Sequence, residues 1–216
     1  MRRQLLCGGI VAVALMVSPS VLSTETSGVS PSDALVDVLV WGTHMRIDAS
    51  AYSPAVKAEL EHYLQRSERY RSKRTRPTNS SELDMVYGAQ VRYERRLVAT
   101  SDDPNAPALA VAYVDRLRPC YEWEGGHDCP EREAVFANEY RTAHPGGPFG
   151  DYLPLLEAHR WLCTAEGYGH ETRPEDAARS RRAYERAISA ARRSTALLFR
   201  TAAQGLTARG RCFSER

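Results

Sequence analysis

One ten-residue stretch, Cys120-Tyr121-Glu122-Trp123-Glu124-Gly125-Gly126-His127-Asp128-Cys129, gathers two aromatics, three carboxylates and a histidine between two cysteines. If the cysteines join, the glycines let the chain turn back and the loop becomes a rigid platform, with Tyr121, Trp123 and His127 as anchors for a partner. The competing expectation is that Trp123 packs back onto its own protein while the charges face solvent. A calcium site built from Glu122, Glu124 and Asp128 is disfavoured, because their spacing departs from the EF-hand ligand pattern.

The remaining chemistry is sparse. His159 falls on an apolar stripe, and Glu157, two residues away, points to another helix face, so a buried, hydrogen-bonded histidine is expected rather than a general base. His62 shares its helix with Glu59, three residues before it, and Glu61, carboxylates too common on a charged helix face to mark a site by themselves. Glu133 and Glu139 have the residue type of a glycosidase pair, yet no sequence spacing fixes a distance in space. No H-E-x-x-H, G-x-S-x-G or phosphate-binding glycine loop occurs, and no residue set implies a catalytic centre, a metal or a cofactor. Two basic stretches, Arg66 to Arg76 and the series Arg179, Arg182, Arg186, Arg193 and Arg200, have the charge to attract anionic lipid headgroups or a cell-surface polymer; as solvated faces they need no partner.

The cysteines point to a compartment. Met1-Arg2-Arg3-Gln4 followed by the uncharged run Leu5 to Val17 has the form of a secretory signal peptide, and Val21-Leu22-Ser23 offers a cleavage site, so residues 1–23 are expected to be removed. The run is too short to span a membrane as a helix. Arg2-Arg3 has the outline of a twin-arginine signal, but any short basic start matches it, and general secretion is the expected route. Cys7 precedes the apolar run and follows a bulky Leu6, which argues against a lipoprotein. Cleavage leaves Cys120, Cys129, Cys163 and Cys212, an even set suited to an oxidising compartment, secreted or periplasmic. The expected pairing is Cys120 with Cys129 and Cys163 with Cys212. The second bridge would be worth about 3–4 kcal/mol on a loop-entropy argument. A zinc site is unsupported, since no C-x2-C pair occurs.

Overall composition implies no polyanion partner. The formal charge of +2 arises from 29 basic and 27 acidic residues. Losing Arg2 and Arg3 brings it to zero, so no nucleic-acid binding is expected.

The elements that must position these residues read as helices. Residues 24–32 are Ser/Thr/Gly/Pro-rich and expected to be a disordered tail; residues 33–216 form the domain. The apolar run Ala34 to Trp41 fits a buried strand or a helix, and is assigned as helix because its successors are helical. Ser53-Pro54 starts a stripe of Val56, Leu60, Tyr63, Leu64 and Tyr70 that should run to Pro77. Ser80 or Ser81 starts the next, and a shorter stripe from Leu109 to Leu117 follows. Cys120 to Pro130 reads as loop, Glu131 to Ala143 as helix, and Tyr152 to Cys163 as another, with Pro154 in its first turn. Thr172 and Pro174 open a last stripe reaching Leu206 in one piece. The expected class is therefore all-α, a single domain of six or seven antiparallel amphipathic helices with two disulfides.

Phe136-x3-Tyr140-x4-Pro145-x2-Pro148, the helix after it and Ala183-Tyr184-x2-Ala187 resemble the helix-turn-helix rhythm of tetratricopeptide-like proteins, over about residues 131–193. The Trp, Leu-Gly and Tyr positions of a first repeat helix are missing, and no 34-residue period appears elsewhere. The resemblance implies stacked helical hairpins with a concave surface for a peptide or protein. The functional expectation is a binding or scaffolding protein of the bacterial envelope; the alternative is a small secreted hydrolase acting on cell-wall material through a carboxylate.

Overall fold

The computed structural model describes residues 31–42, 47–78 and 80–213. The expected signal peptide and residues 24–30 of the expected tail lie outside them. Among the described residues there are eight α-helices, one short 3-10 turn and no strand.

Six consecutive residues of α1 (Pro31–Trp41), Leu35 to Val40, are buried. A helix buried on every side shows no polar face, which is why periodicity could not separate strand from helix here. α1 begins at Pro31, two residues before the expected boundary. α1 packs on α8 (Leu197–Arg209), from the far end of the described chain, so closely that a Cβ on Gly205 would stand 2.6 Å from the carbonyl oxygen of Ser32.

α2 (Pro54–Arg69) starts as expected, with the Ser53 hydroxyl accepting from the Val56 amide and Pro54 in the first turn. It ends at Arg69, well before Pro77. Tyr70 turns extended because the chain beyond it is drawn to the fully buried Glu94, which accepts hydrogen bonds from the Tyr70 and Ser72 hydroxyls and pairs with Arg74. α3 (Ser81–Ala99) is capped by Ser80 and packs on α2 and on α4 (Ala106–Leu117).

α5 (Asp128–Ala143) begins three residues earlier than expected, so Cys129 and Pro130 belong to its first turn rather than to a loop. α6 (Leu153–His170) is buried along nearly its whole length and is flanked by α5 and α7 (Pro174–Ala191). Pro154 sits in its first turn, where the missing amide costs nothing.

Thr172 does not cap α7. It has φ 58° and closes α6 instead: its amide donates to Gly169 O and that of Arg173 to Tyr168 O, the two bonds of a Schellman motif. The last stripe is two helices. The chain breaks over 192–196, and α8 restarts where the Glu59 carboxylate of α2 accepts from the Leu197 and Leu198 amides. Arg193 thus lies in the break and Arg200 on a separate helix, so the arginine series is not one stripe.

Both disulfides pair as expected, Cys120–Cys129 and Cys163–Cys212, with Cα separations of 6.0 and 4.7 Å. No described helix is long and apolar enough to cross a membrane.

Candidate functional site

A cleft of about 300 Å³ opens where α1, α3, α5, α6, the disulfide loop and the tail after α8 converge. α3 contributes Ala89, Arg92, Tyr93 and Arg96, whose 0, 3, 4, 7 spacing puts them on one helix face. Trp41 comes from the last turn of α1, Glu133 from α5 and Arg160 from α6.

Three rings form the apolar part. Trp41 stacks against Trp123 with centroids 5.8 Å apart and against Phe213 at 5.5 Å, and Trp123 and Phe213 approach to 5.1 Å, all with interplanar angles of 21° or less. Such near-parallel, offset geometry suits aromatic quadrupoles. Trp123 is held by its own loop, its indole N–H donating to Gly126 O at 2.6 Å. Phe213 remains 50% exposed.

The polar wall is cationic. Arg160, 4% exposed, pairs with Glu133, 5% exposed, at 2.6 Å, donates to His159 Nδ1 and lies 4.4 Å over the Trp41 ring. Burial is the largest single influence and would lower the Arg160 pKa, but the charge and hydrogen bond of Glu133 together with Tyr93 and Tyr152 outweigh it, so the guanidinium stays charged. Glu133 also accepts from the Tyr93 hydroxyl and the Cys120 amide. Arg160 and Arg96 both donate to Val40 O, closing the C-terminal end of α1.

Arg96 differs from Arg160. It is 6% exposed and rests 4.5 Å over the Tyr93 ring, but its Nε has no hydrogen-bond partner among the described residues. The Trp41 indole nitrogen is likewise buried and unpartnered among them. No described carboxylate pairs with Arg96 or Arg92. Burial and the neighbouring Arg96 charge both lower the Arg92 pKa from its ordinary value, as expected of uncompensated positive charge.

His159 is the buried, bonded histidine expected from its stripe. Arg160 donates to Nδ1 at 2.8 Å, so Nε2 carries the proton and donates to Cys212 O at 3.0 Å. Burial first, then Arg160 and Arg209, push its pKa well below the usual value, so the ring is neutral. Among the described residues the one cluster with metal-ligating chemistry is His159, Cys163 and Cys212. Both sulfurs are consumed in a disulfide and both ring nitrogens are engaged, so the set does not fit an ion in this state.

The three loop residues singled out from the sequence separate. Tyr121 and Trp123 line the cleft, with the Tyr121 hydroxyl donating to Glu82 at 3.0 Å. His127 faces away, stacked 4.0 Å from Tyr168, with Nδ1 2.6 Å from Glu171 and Nε2 2.7 Å from Asp128; it fastens the loop to the end of α6. A Cβ on Gly167 would meet the His127 amide at 2.7 Å, so that contact requires glycine. Glu133 is locked in its ion pair and Glu139 is exposed on the same helix, so they do not face one another across a substrate. His62 pairs with exposed Asp102 at 2.9 Å. In the basic stretch from Arg66 to Arg76, Arg66, Arg74 and Arg76 are paired with Asp102, Glu94 and Asp84.

Trp41, Phe213, Arg92, Arg96 and Arg160 were not anticipated as site residues. Nothing local marks them, because they come from four separate parts of the chain, with Arg92 and Arg96 together on α3. Comparison with protein-family models, curated proteins and solved structures found no match to this chain.

Proposed function

We propose that this protein is an exported, non-enzymatic binding module of the bacterial envelope, whose aromatic and arginine-lined cleft holds a peptide or a segment of another protein. The observation that carries this reading is the Trp41–Trp123–Phe213 stack, partly open to solvent at a concave, cationic site. Aromatic and arginine side chains in such pockets are the residue types that dominate binding energy at protein interfaces. The export half rests on the leader at residues 1–23 and the even cysteine set, and the two disulfides are what such a compartment permits. The consecutive packing of α5, α6 and α7 accords with the helical-hairpin resemblance.

A carboxylate-dependent hydrolase finds less support. Among the described residues Glu133 is the one carboxylate lining the cleft, and it is already engaged by Arg160, Tyr93 and Cys120. Selection of displayed peptides on the oxidised protein, followed by titration of the enriched sequences, tests the binding reading. Peptides carrying an aromatic or aliphatic anchor should be enriched, and Trp123→Ala should weaken them at least about tenfold, the loss of a modest hot spot. No enrichment, or equal affinity for Trp123→Ala, would overturn it.

A further inference from the structure

The cleft joins an aromatic wall to positive charge that the described protein leaves uncompensated. Among the described residues three arginines line it against one carboxylate, and that carboxylate is already bound to Arg160. Arg96 is held by Val40 O and the Tyr93 ring, yet its Nε is unpartnered, as is the Trp41 indole nitrogen at the same wall. Buried donors left unpaired are uncommon and cost about 1–3 kcal/mol each, so two at one cleft mark a place where an acceptor belongs. The volume, about 300 Å³, is at the small end of ligand pockets; it suits one side chain with its attached acid group rather than a long segment.

We infer that the cleft recognises a carboxylate adjacent to an aromatic or apolar group, with Arg96 and Arg92 holding the acid while Trp41, Trp123 and Phe213 hold the apolar part. This deepens the binding reading above and rests on it. A planar guanidinium matches a carboxylate with two parallel hydrogen bonds, and burial strengthens them. A chain-terminal Phe carboxylate and an Asp beside Phe within a chain offer the same chemistry.

Tryptophan-emission titrations distinguish these sources with three probes: Ac-Gly-Gly-Phe as free acid, the same peptide as its C-terminal amide, and Ac-Gly-Asp-Phe-Gly-amide. The free acid should bind at least tenfold tighter than its amide, and the gap should narrow with added salt. Recovery of affinity by the Asp-Phe peptide assigns an acidic side chain as a source; its failure to bind restricts recognition to chain ends, and either result supports the carboxylate assignment once the acid exceeds the amide. Arg96→Gln should abolish the preference. Because Arg96 also closes α1, exposed Arg92→Gln serves as the variant that leaves the fold untouched, and it should reduce the preference several-fold. Equal binding of acid and amide, or an unchanged preference in Arg92→Gln, would overturn the inference while leaving the binding reading in place. If no probe binds and peptide selection is also empty, both fall.

Discussion

His159 shows how far one side chain can be read. Its place on an apolar stripe predicted burial with hydrogen bonds, and both ring nitrogens are satisfied. Its partners were not legible, because Arg160 points across to Glu133 on another helix and Cys212 arrives from beyond α8. Neutral His159 takes up a proton only on unfolding below its ordinary pKa of 6.5, so the unfolded chain binds more protons there and stability falls as pH drops. The decline should set in as pH falls through about 6.5 and steepen below it. Urea denaturation at a series of pH values should show this slope in the native protein and a flatter one in His159→Gln. Glu133 carries the complementary lesson: its residue type suggested catalysis, while its surroundings make it the counter-ion of a buried arginine.

Helix starts were legible where the cap is local and silent where it is not. Ser53 and Ser80 cap α2 and α3 from the adjacent residue. α8 has Ala196 at its cap position and no side-chain bond from it; Glu59, 138 residues away, supplies the acceptor. That is why Ala177 to Leu206 reads as one stripe and folds as two helices. Glu59→Ala should therefore cost about 1 kcal/mol, as an N-cap does, although it lies on another helix. Thermal melts of Glu59→Ala and Glu59→Gln would measure it. Thr172 presents the opposite case, a β-branched residue at a left-handed position that favours glycine. Thr172→Gly should raise stability by up to about 1 kcal/mol, visible as a higher denaturation midpoint. α1 was ambiguous for a different reason: burial on all sides erases the polar face from which a period is read.

The whole molecule's class and both cysteine pairings were readable from the chain, the first from repeated helical stripes and the second from an even set with one short loop. The cleft was not, because it exists only where six separate segments meet. The Cys163–Cys212 bridge holds the segment that ends in Phe213, so opening it should act on stability and site together. Cys163→Ser with Cys212→Ser should lose about 3–4 kcal/mol of stability. Its Trp41 and Trp123 emission should shift to longer wavelength as Phe213 leaves the stack, and chemical denaturation followed by fluorescence reads both effects. Unchanged emission in the folded double variant would show that the ring keeps its place without the bridge.

The meeting of α1 and α8, where Arg209 pairs with Asp37 across 172 residues of chain, has a kinetic consequence. Closure of such distant segments bears the largest entropic cost and comes slowly in folding. The local pairs α3 with α4 and α6 with α7 can form first, yet a molecule at that stage has no assembled cleft, since Trp41 and Phe213 are still apart. The ligand affinity proposed above would then belong to the finished molecule alone. A ligand at one hundred times its Kd would add about 2.7 kcal/mol to that molecule and nothing to its precursors, slowing release of the last-docked segment and making occupancy a readout of completed folding.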